Sequence, residues 1–193
     1  MRRHSFQPKF LVDKLLALFR FNKVYQALKN HGRAPAHIKI IDMGSGKGLL
    51  IKKLRTQGYD AWGIDLNSDN HVISADLNGP LPIETASIDV VTSLANIEHL
   101  EKPDINLREI YRLLKPGGKL ILTTPSLAAK PILEFIAYKL KIIDAAEIRD
   151  HKFYYTKQTL SQDLAKAGFE NFELSTFQFG LNLSVVAHKI VGM

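Results

Sequence analysis

"IIDMGSGKGLL", Ile40 to Leu50, opens with an apolar run that suits a strand, crosses Asp42, and then carries three glycines on alternate positions, Gly44, Gly46 and Gly48. The residues that follow suit a helix. Glycine is costly inside regular structure, so three within five positions mark a backbone that must turn sharply or approach something closely. A strand, a glycine-rich turn and a helix in that order form the usual ligand-holding unit of a doubly wound α/β sheet. Two classes of ligand compete for it: a phosphate, or a nucleoside without one.

Working outward, strands and helices alternate. Tyr59–Asp65, His71–Asp76, Ser87–Leu94 and Pro116–Pro125 read as strands, and Asp104–Leu114 and Thr156–Ala167 as helices. Strands that are apolar throughout indicate a parallel sheet covered on both faces. Two final strands, within 169–179 and 183–189, have no helix between them and are expected to be antiparallel neighbours. Upstream, Phe10–Leu28 has a helical pattern with Leu11, Leu15, Leu18 and Phe19 between basic residues.

The 193 residues fit one domain, and 46% hydrophobic content is ordinary for a globular chain. The absence of cysteine excludes disulfides and thiol chemistry and fits a reducing, cytoplasmic setting. No signal peptide or membrane span is read. The net charge of +7 is uneven: up to Lys39 nine Lys or Arg face Asp13 alone, giving +8 and leaving the rest at −1. The basic excess therefore belongs to the N-terminal helix, not to a nucleic-acid-binding face of the domain.

The spacing of the glycines narrows the ligand. A dinucleotide loop needs G-x-G-x-x-G, and Leu49 stands where its third glycine belongs. A phosphate-binding loop needs Gly-Lys followed by Ser or Thr, and Gly48 follows Lys47 instead. The G-x-G-x-G form after an acid resembles the first motif of the class I S-adenosylmethionine-dependent methyltransferases. "WGIDLN", "SADLN", "IEHL" and "LREIYRLLKPGGKLILTTPS" extend the likeness from about Ile38 to Gly168, nearest the type 11 and type 23 subfamilies.

The resemblance implies a Rossmann-like, doubly wound, seven-stranded α/β fold whose last two strands are antiparallel. It implies a methyltransferase domain over 38–193, with an acceptor lid over about 126–150, and the charge and periodicity upstream set a basic helical extension over 1–37 apart from it. It implies S-adenosyl-L-methionine as cofactor, held by Asp42, Gly44, Ser45, Gly46, Gly48, Asp65, Leu66, Asp76, Leu77 and Leu94. Asp65 takes the ribose hydroxyls, and Asp76 with the Leu77 amide takes the adenine. Lys47 should point to solvent, and Asn96 departs from the apolar residue usual at its position.

His99 and His151 are candidate general bases, since a neutral imidazole can accept a proton from a hydroxyl. "RDHKFYYT" supplies Asp150, Tyr154 and Tyr155 as an acceptor wall, with Phe153 expected in the core. The remaining histidines lack metal-ligand spacing, and no metal is expected. The acceptor expected is a small molecule, sugar or lipid-linked compound. The N-terminal helix either packs on the domain or meets an anionic membrane surface. The rival readings are an RNA methyltransferase and a cofactor-binding protein without catalysis. The chain lacks the Asn/Asp-Pro-Pro-Tyr/Phe signature of many amino-group methylases, which argues against a base-amine target and leaves RNA as the rival, with nucleic acid not the expected partner. Oligomeric state is not legible.

Overall fold

A computed structural model describes residues 8–29, 32–66 and 71–191. Within the first helix, side chains are described from Leu15 onward. Leu11 of the expected stripe therefore lies outside them, as do His4, His31 and positions 67–70 after the second strand.

Helix α1 (Pro8–Lys29) precedes strand β1 (Lys39–Met43), helix α2 (Leu49–Thr56), β2 (Asp60–Asp65), β3 (Val72–Ser74) and β4 (Ile88–Leu94). Helix α3 (Pro103–Leu113) leads into β5 (Leu114–Pro125). The short helices α4 (Lys130–Glu134) and α5 (Ala145–Arg149), helix α6 (Lys157–Lys166), β6 (Asn171–Phe177) and β7 (Asn182–His188) complete the chain. The strands form one sheet in the order β3-β2-β1-β4-β5-β7-β6. β1, β2, β3, β4 and β5 run parallel, and β7 is antiparallel to both β5 and β6. The expected seven-stranded topology is therefore present, with strand order reversing between β1 and β4.

The two sheet faces carry separate cores. Leu107 and Ile110 of α3, Leu160 and Leu164 of α6, and Phe169 cover one face. Val24 and Leu28 of α1, with Leu50, Ile51 and Leu54 of α2, cover the other over Ile38, Ile40, Val90 and Ile121. Each such side chain contributes about 1.5–3 kcal/mol by leaving water. Thr156 starts α6 with a capping box, its hydroxyl accepting from the Thr159 amide.

The packed face of α1 differs from the stripe that the periodicity picks out. Leu15, Leu18 and Phe19 are exposed. At 100° per residue they lie on the opposite side of the helix from Val24 and Leu28. Beyond the helix, Arg33 Nη1 meets buried Asp89 at 2.6 Å, and Lys115 Nζ meets the other carboxylate oxygen at 2.8 Å. The segment before β1 is thereby pinned to β4.

The stretch between β5 and α6 folds as α4, a π-helical turn at Phe135–Leu140, and α5. It gathers a small core of its own from Ala137, Ile143 and Ile148. Leu127, Ile132, Phe135 and Leu140 remain exposed on it.

Candidate active site

The glycine turn lies just beyond the carboxyl end of β1. Gly44 and Ser45 both donate to the Ile64 carbonyl, at 2.8 and 3.2 Å, which folds the turn over the end of β2. Gly44, Gly46 and Gly48 all have positive φ, at 69°, 51° and 64°. Two of them have different neighbours. A Cβ on Gly44 would fall 2.2 Å from Asn96 Oδ1, so this glycine admits a side chain from the β4 end. A Cβ on Gly46 would meet nothing within 4 Å. Open space above a left-handed glycine is what a cradle for a ligand requires. Lys47 is exposed, as expected.

Asp65 closes β2, and its Oδ2 accepts from the Gly46 amide at 2.8 Å. Both therefore lie beyond the carboxyl ends of β1 and β2, beside the reversal of strand order. Asp42 is buried inside β1, where Thr92 Oγ1 donates to its Oδ1 at 2.6 Å. Burial pushes its carboxyl up to about 7. Leu66 is 70% exposed beside the turn, Leu94 is half-buried, and the Leu77 side chain is in the core, leaving only its backbone for contact. Asp76 Oδ1 accepts from the Asn78 amide and side-chain amide at 2.9 and 3.0 Å, and the former bond leads in holding its carboxyl below the usual range. Gly63 in β2, not singled out from the sequence, leaves room for Ser45 and Ile51; a Cβ there would meet Ser45 Oγ at 2.3 Å.

A second group assembles beyond β4. The Glu98 carbonyl accepts from the Lys152 amide at 2.7 Å and the Phe153 amide at 3.3 Å, tying the "RDHKFYYT" segment to the turn after β4. His99 Nδ1 then lies 3.1 Å from Asp150 Oδ2. The His99 and His151 rings meet edge to face, 4.7 Å between centroids. His151 Nδ1 lies 3.0 Å from the Tyr154 hydroxyl. Burial pulls the His151 imidazole down to about 4, so it is neutral at pH 7, and burial pushes Tyr154 up to about 12. Lys152 leads in holding Asp150 below the usual carboxylate range. His99, Asp150, His151 and Tyr154 thus come together.

Tyr155 and Phe153 exchange their expected places. Tyr155 is buried in the main core and pairs with Ser126, whereas Phe153 is 40% exposed. The bonds from Lys152 and Phe153 to Glu98 fix the strip so that its next residues turn Tyr155 inward. The Tyr155 hydroxyl is buried without a hydrogen-bond partner, and burial raises its pKa.

The sequence reading also missed Glu98. It is fully buried, Thr124 Oγ1 donates to its Oε2 at 3.0 Å, and burial raises its pKa. The one signal available was an acid set between the apolar Ile97 and Leu100. The expectation of no metal rested on spacing along the chain, and Glu98, His99 and His151 come together only in three dimensions.

Residues 4–174 match the family described as "Methyltransferase domain". The chain is 29% identical over 151 residues to the ubiquinone biosynthesis O-methyltransferase of Psychrobacter arcticus, covering 68% of this chain and 58% of that protein. It therefore spans less than two thirds of that curated relative. Among solved structures, an S-adenosylmethionine-dependent methyltransferase of Thermotoga maritima superposes with TM-score 0.67 at 20% identity, covering 94% of this chain and 97% of that one. A phosphoethanolamine N-methyltransferase of Haemonchus contortus, in complex with S-adenosylhomocysteine, gives TM-score 0.65 at 18% identity over 89% of this chain and 53% of that one.

Proposed function

The chain belongs to the methyltransferase-domain family of class I S-adenosylmethionine-dependent enzymes, and from that premise we propose that it methylates a hydroxyl of a small-molecule acceptor. The observation that carries this reading is that the carboxyl ends of the parallel strands carry two chemistries: the Gly46 amide and Asp65 beyond β1 and β2, and the His99–Asp150–His151 group beyond β4. The O-methyltransferase names of its relatives support an oxygen as the acceptor atom.

S-adenosyl-L-methionine supplies an electrophilic methyl on a sulfonium. On this reading Gly44, Ser45, Gly46 and Gly48 offer backbone to the cofactor. Asp65 accepts from its ribose, and Asp76 and the Leu77 amide meet its base. Asp42, Leu66 and Leu94 lie beside the cofactor. The open backbone at Gly46 leaves room for a ligand against the turn. Holding donor and acceptor in line supplies most of the acceleration.

The acceptor hydroxyl loses its proton at the imidazole pair. His99 is oriented by Asp150 through Nδ1, which leaves Nε2 to receive the proton. His151 and Tyr154 form the wall beside it, and the exposed apolar residues of the 127–140 segment form the lid that excludes water. An acceptor with a lipid or other apolar portion suits that lid. The working place is the cytoplasm. No helix among the described residues is long and apolar enough to cross a membrane.

Calorimetry with S-adenosylmethionine and with NAD tests the cofactor, and NAD binding in preference sinks the reading. Labelled-methyl transfer to a metabolite extract, set against total cellular RNA, tests the acceptor. Label in RNA replaces this reading with the nucleic-acid one, and binding without any transfer leaves a cofactor-binding protein. A second reading concerns α1, whose exposed Leu15, Leu18 and Phe19 lie beside a basic N-terminus. We infer peripheral contact with an anionic membrane surface. Failure to sediment with anionic liposomes at low salt would leave the helix purely structural.

A further inference from the structure

We propose that Glu98, His99 and His151 bind one divalent transition-metal cation, of the zinc, manganese or iron(II) kind, with a coordination position left open toward the acceptor. This rests on the methyl-transfer reading for its chemistry, but not for its binding test. One ligand atom from each of the three residues lies within 4.8 Å of the other two. An ion with bonds near 2.0–2.2 Å would draw such atoms closer together.

The Glu98 carboxylate provides the independent observation. It is fully buried, Thr124 serves its Oε2, and its Oε1 has no hydrogen-bond partner. A buried carboxylate oxygen left unserved is costly, and a cation is the partner that its position invites. The two imidazoles are already oriented from behind. His99 Nδ1 is held by Asp150 and His151 Nδ1 by the Tyr154 hydroxyl, which leaves each Nε2 for an ion. A carboxylate behind a ligating histidine is the usual outer support of such sites. Two imidazoles with one carboxylate favour transition metals over magnesium or calcium. The charge of Arg20 reaches both Glu98 and His151 and works against the ion, so the affinity lies below that of a closed structural zinc site.

Three protein ligands leave room for an exogenous one. An acceptor hydroxyl coordinated there gives up its proton to solvent, and the oxygen then attacks the methyl as the methyl's bond to sulfur breaks, its electron pair staying on sulfur. A ligated nitrogen cannot take that proton, so the imidazole route belongs to the metal-free protein.

The test is titration of the full, metal-stripped chain with Mn2+, followed by electron paramagnetic resonance, and with Zn2+ by calorimetry. One equivalent should bind. Glu98→Gln and His99→Ala should each weaken binding at least 10-fold. Asp150→Asn, at a largely exposed carboxylate that touches no ion, should weaken it about 10–100-fold by releasing His99. Thermal melts show whether Glu98→Gln still folds, and Asp150→Asn keeps the test decisive if it does not. Absence of stoichiometric binding, or equal binding by wild type and Asp150→Asn, overturns the proposal. S-adenosylmethionine calorimetry on the same stocks separates the outcomes: cofactor binding without metal binding removes the cation site alone.

Discussion

Along the carboxyl edge of the sheet, Gly44, Gly46 and Asp65 are positioned by strands β1 and β2 and the bonds that join them. His99 and Asp150, 51 positions apart, are instead brought together by a loop docked on the Glu98 carbonyl. The first half of the site is a property of the sheet, and the second depends on tertiary contact. Backbone-built parts should therefore respond to changes in shape, and contact-built parts to changes in chemistry.

The largest effect is expected at Gly44. Gly44→Ala places a Cβ 2.2 Å from Asn96 Oδ1 at a φ of 69°. Left-handed strain and overpacking each cost about 1–3 kcal/mol, so chemical denaturation should show a loss of about 3 kcal/mol. In an Asn96→Ala background the overpacking part should be recovered and the strain should remain. Equal losses in both backgrounds would show that the two segments do not press on one another.

His99→Ala should leave S-adenosylmethionine affinity nearly intact while turnover falls about 10²-fold in steady-state assays. Loss of cofactor affinity instead would erase the division between the halves. Asp65→Ala should do the reverse, weakening cofactor binding by about 1–3 kcal/mol in calorimetry. An unchanged titration removes Asp65 from ribose binding.

Asp42 gives the backbone-built half a pH dependence. Its carboxyl is raised to about 7 in the folded protein, whereas the unfolded chain releases the proton near the ordinary 3.8. The folded state therefore holds more protons between those values, and this group's contribution to stability falls as pH rises from about 4 to 7. Denaturation midpoints of Asp42→Asn against wild type should show that decline removed. Parallel curves would mean that the carboxyl is ionised throughout.

The smallest effect belongs to the outer face of α1. Leu18→Ser and Phe19→Ser should change stability by no more than about 0.5 kcal/mol while reducing sedimentation with anionic liposomes. A larger stability loss would mean that these exposed side chains pack on something in the free protein.

The same division explains what could be read beforehand. Ile40, Ile41, Val90, Val91, Leu120 and Ile121 are apolar because both faces of their strands are covered, so the sheet is visible as runs of sequence. The three glycines are visible because local conformation alone demands them. No periodicity reports that Glu98 lies buried beneath His99, or that Gly63 leaves room for Ser45. The outcome at α1 had a related cause: two apolar stripes share one helix, and composition cannot say which meets the sheet. At 153 and 155 the choice between Phe and Tyr was made by backbone bonds to Glu98, which no side-chain preference encodes.

The order β5-β7-β6 has a consequence for biosynthesis. β6 leaves the ribosome before β7, yet among the described residues its only neighbour in the sheet is β7. Until residues 182–188 emerge, β5 presents an unpaired edge and β6 has nothing to pair with. The last strand is thus inserted between two waiting ones, and the sheet closes in a single late step. A chain halted after Phe177 would carry two unsatisfied edges, the condition under which nascent proteins recruit chaperones or one another.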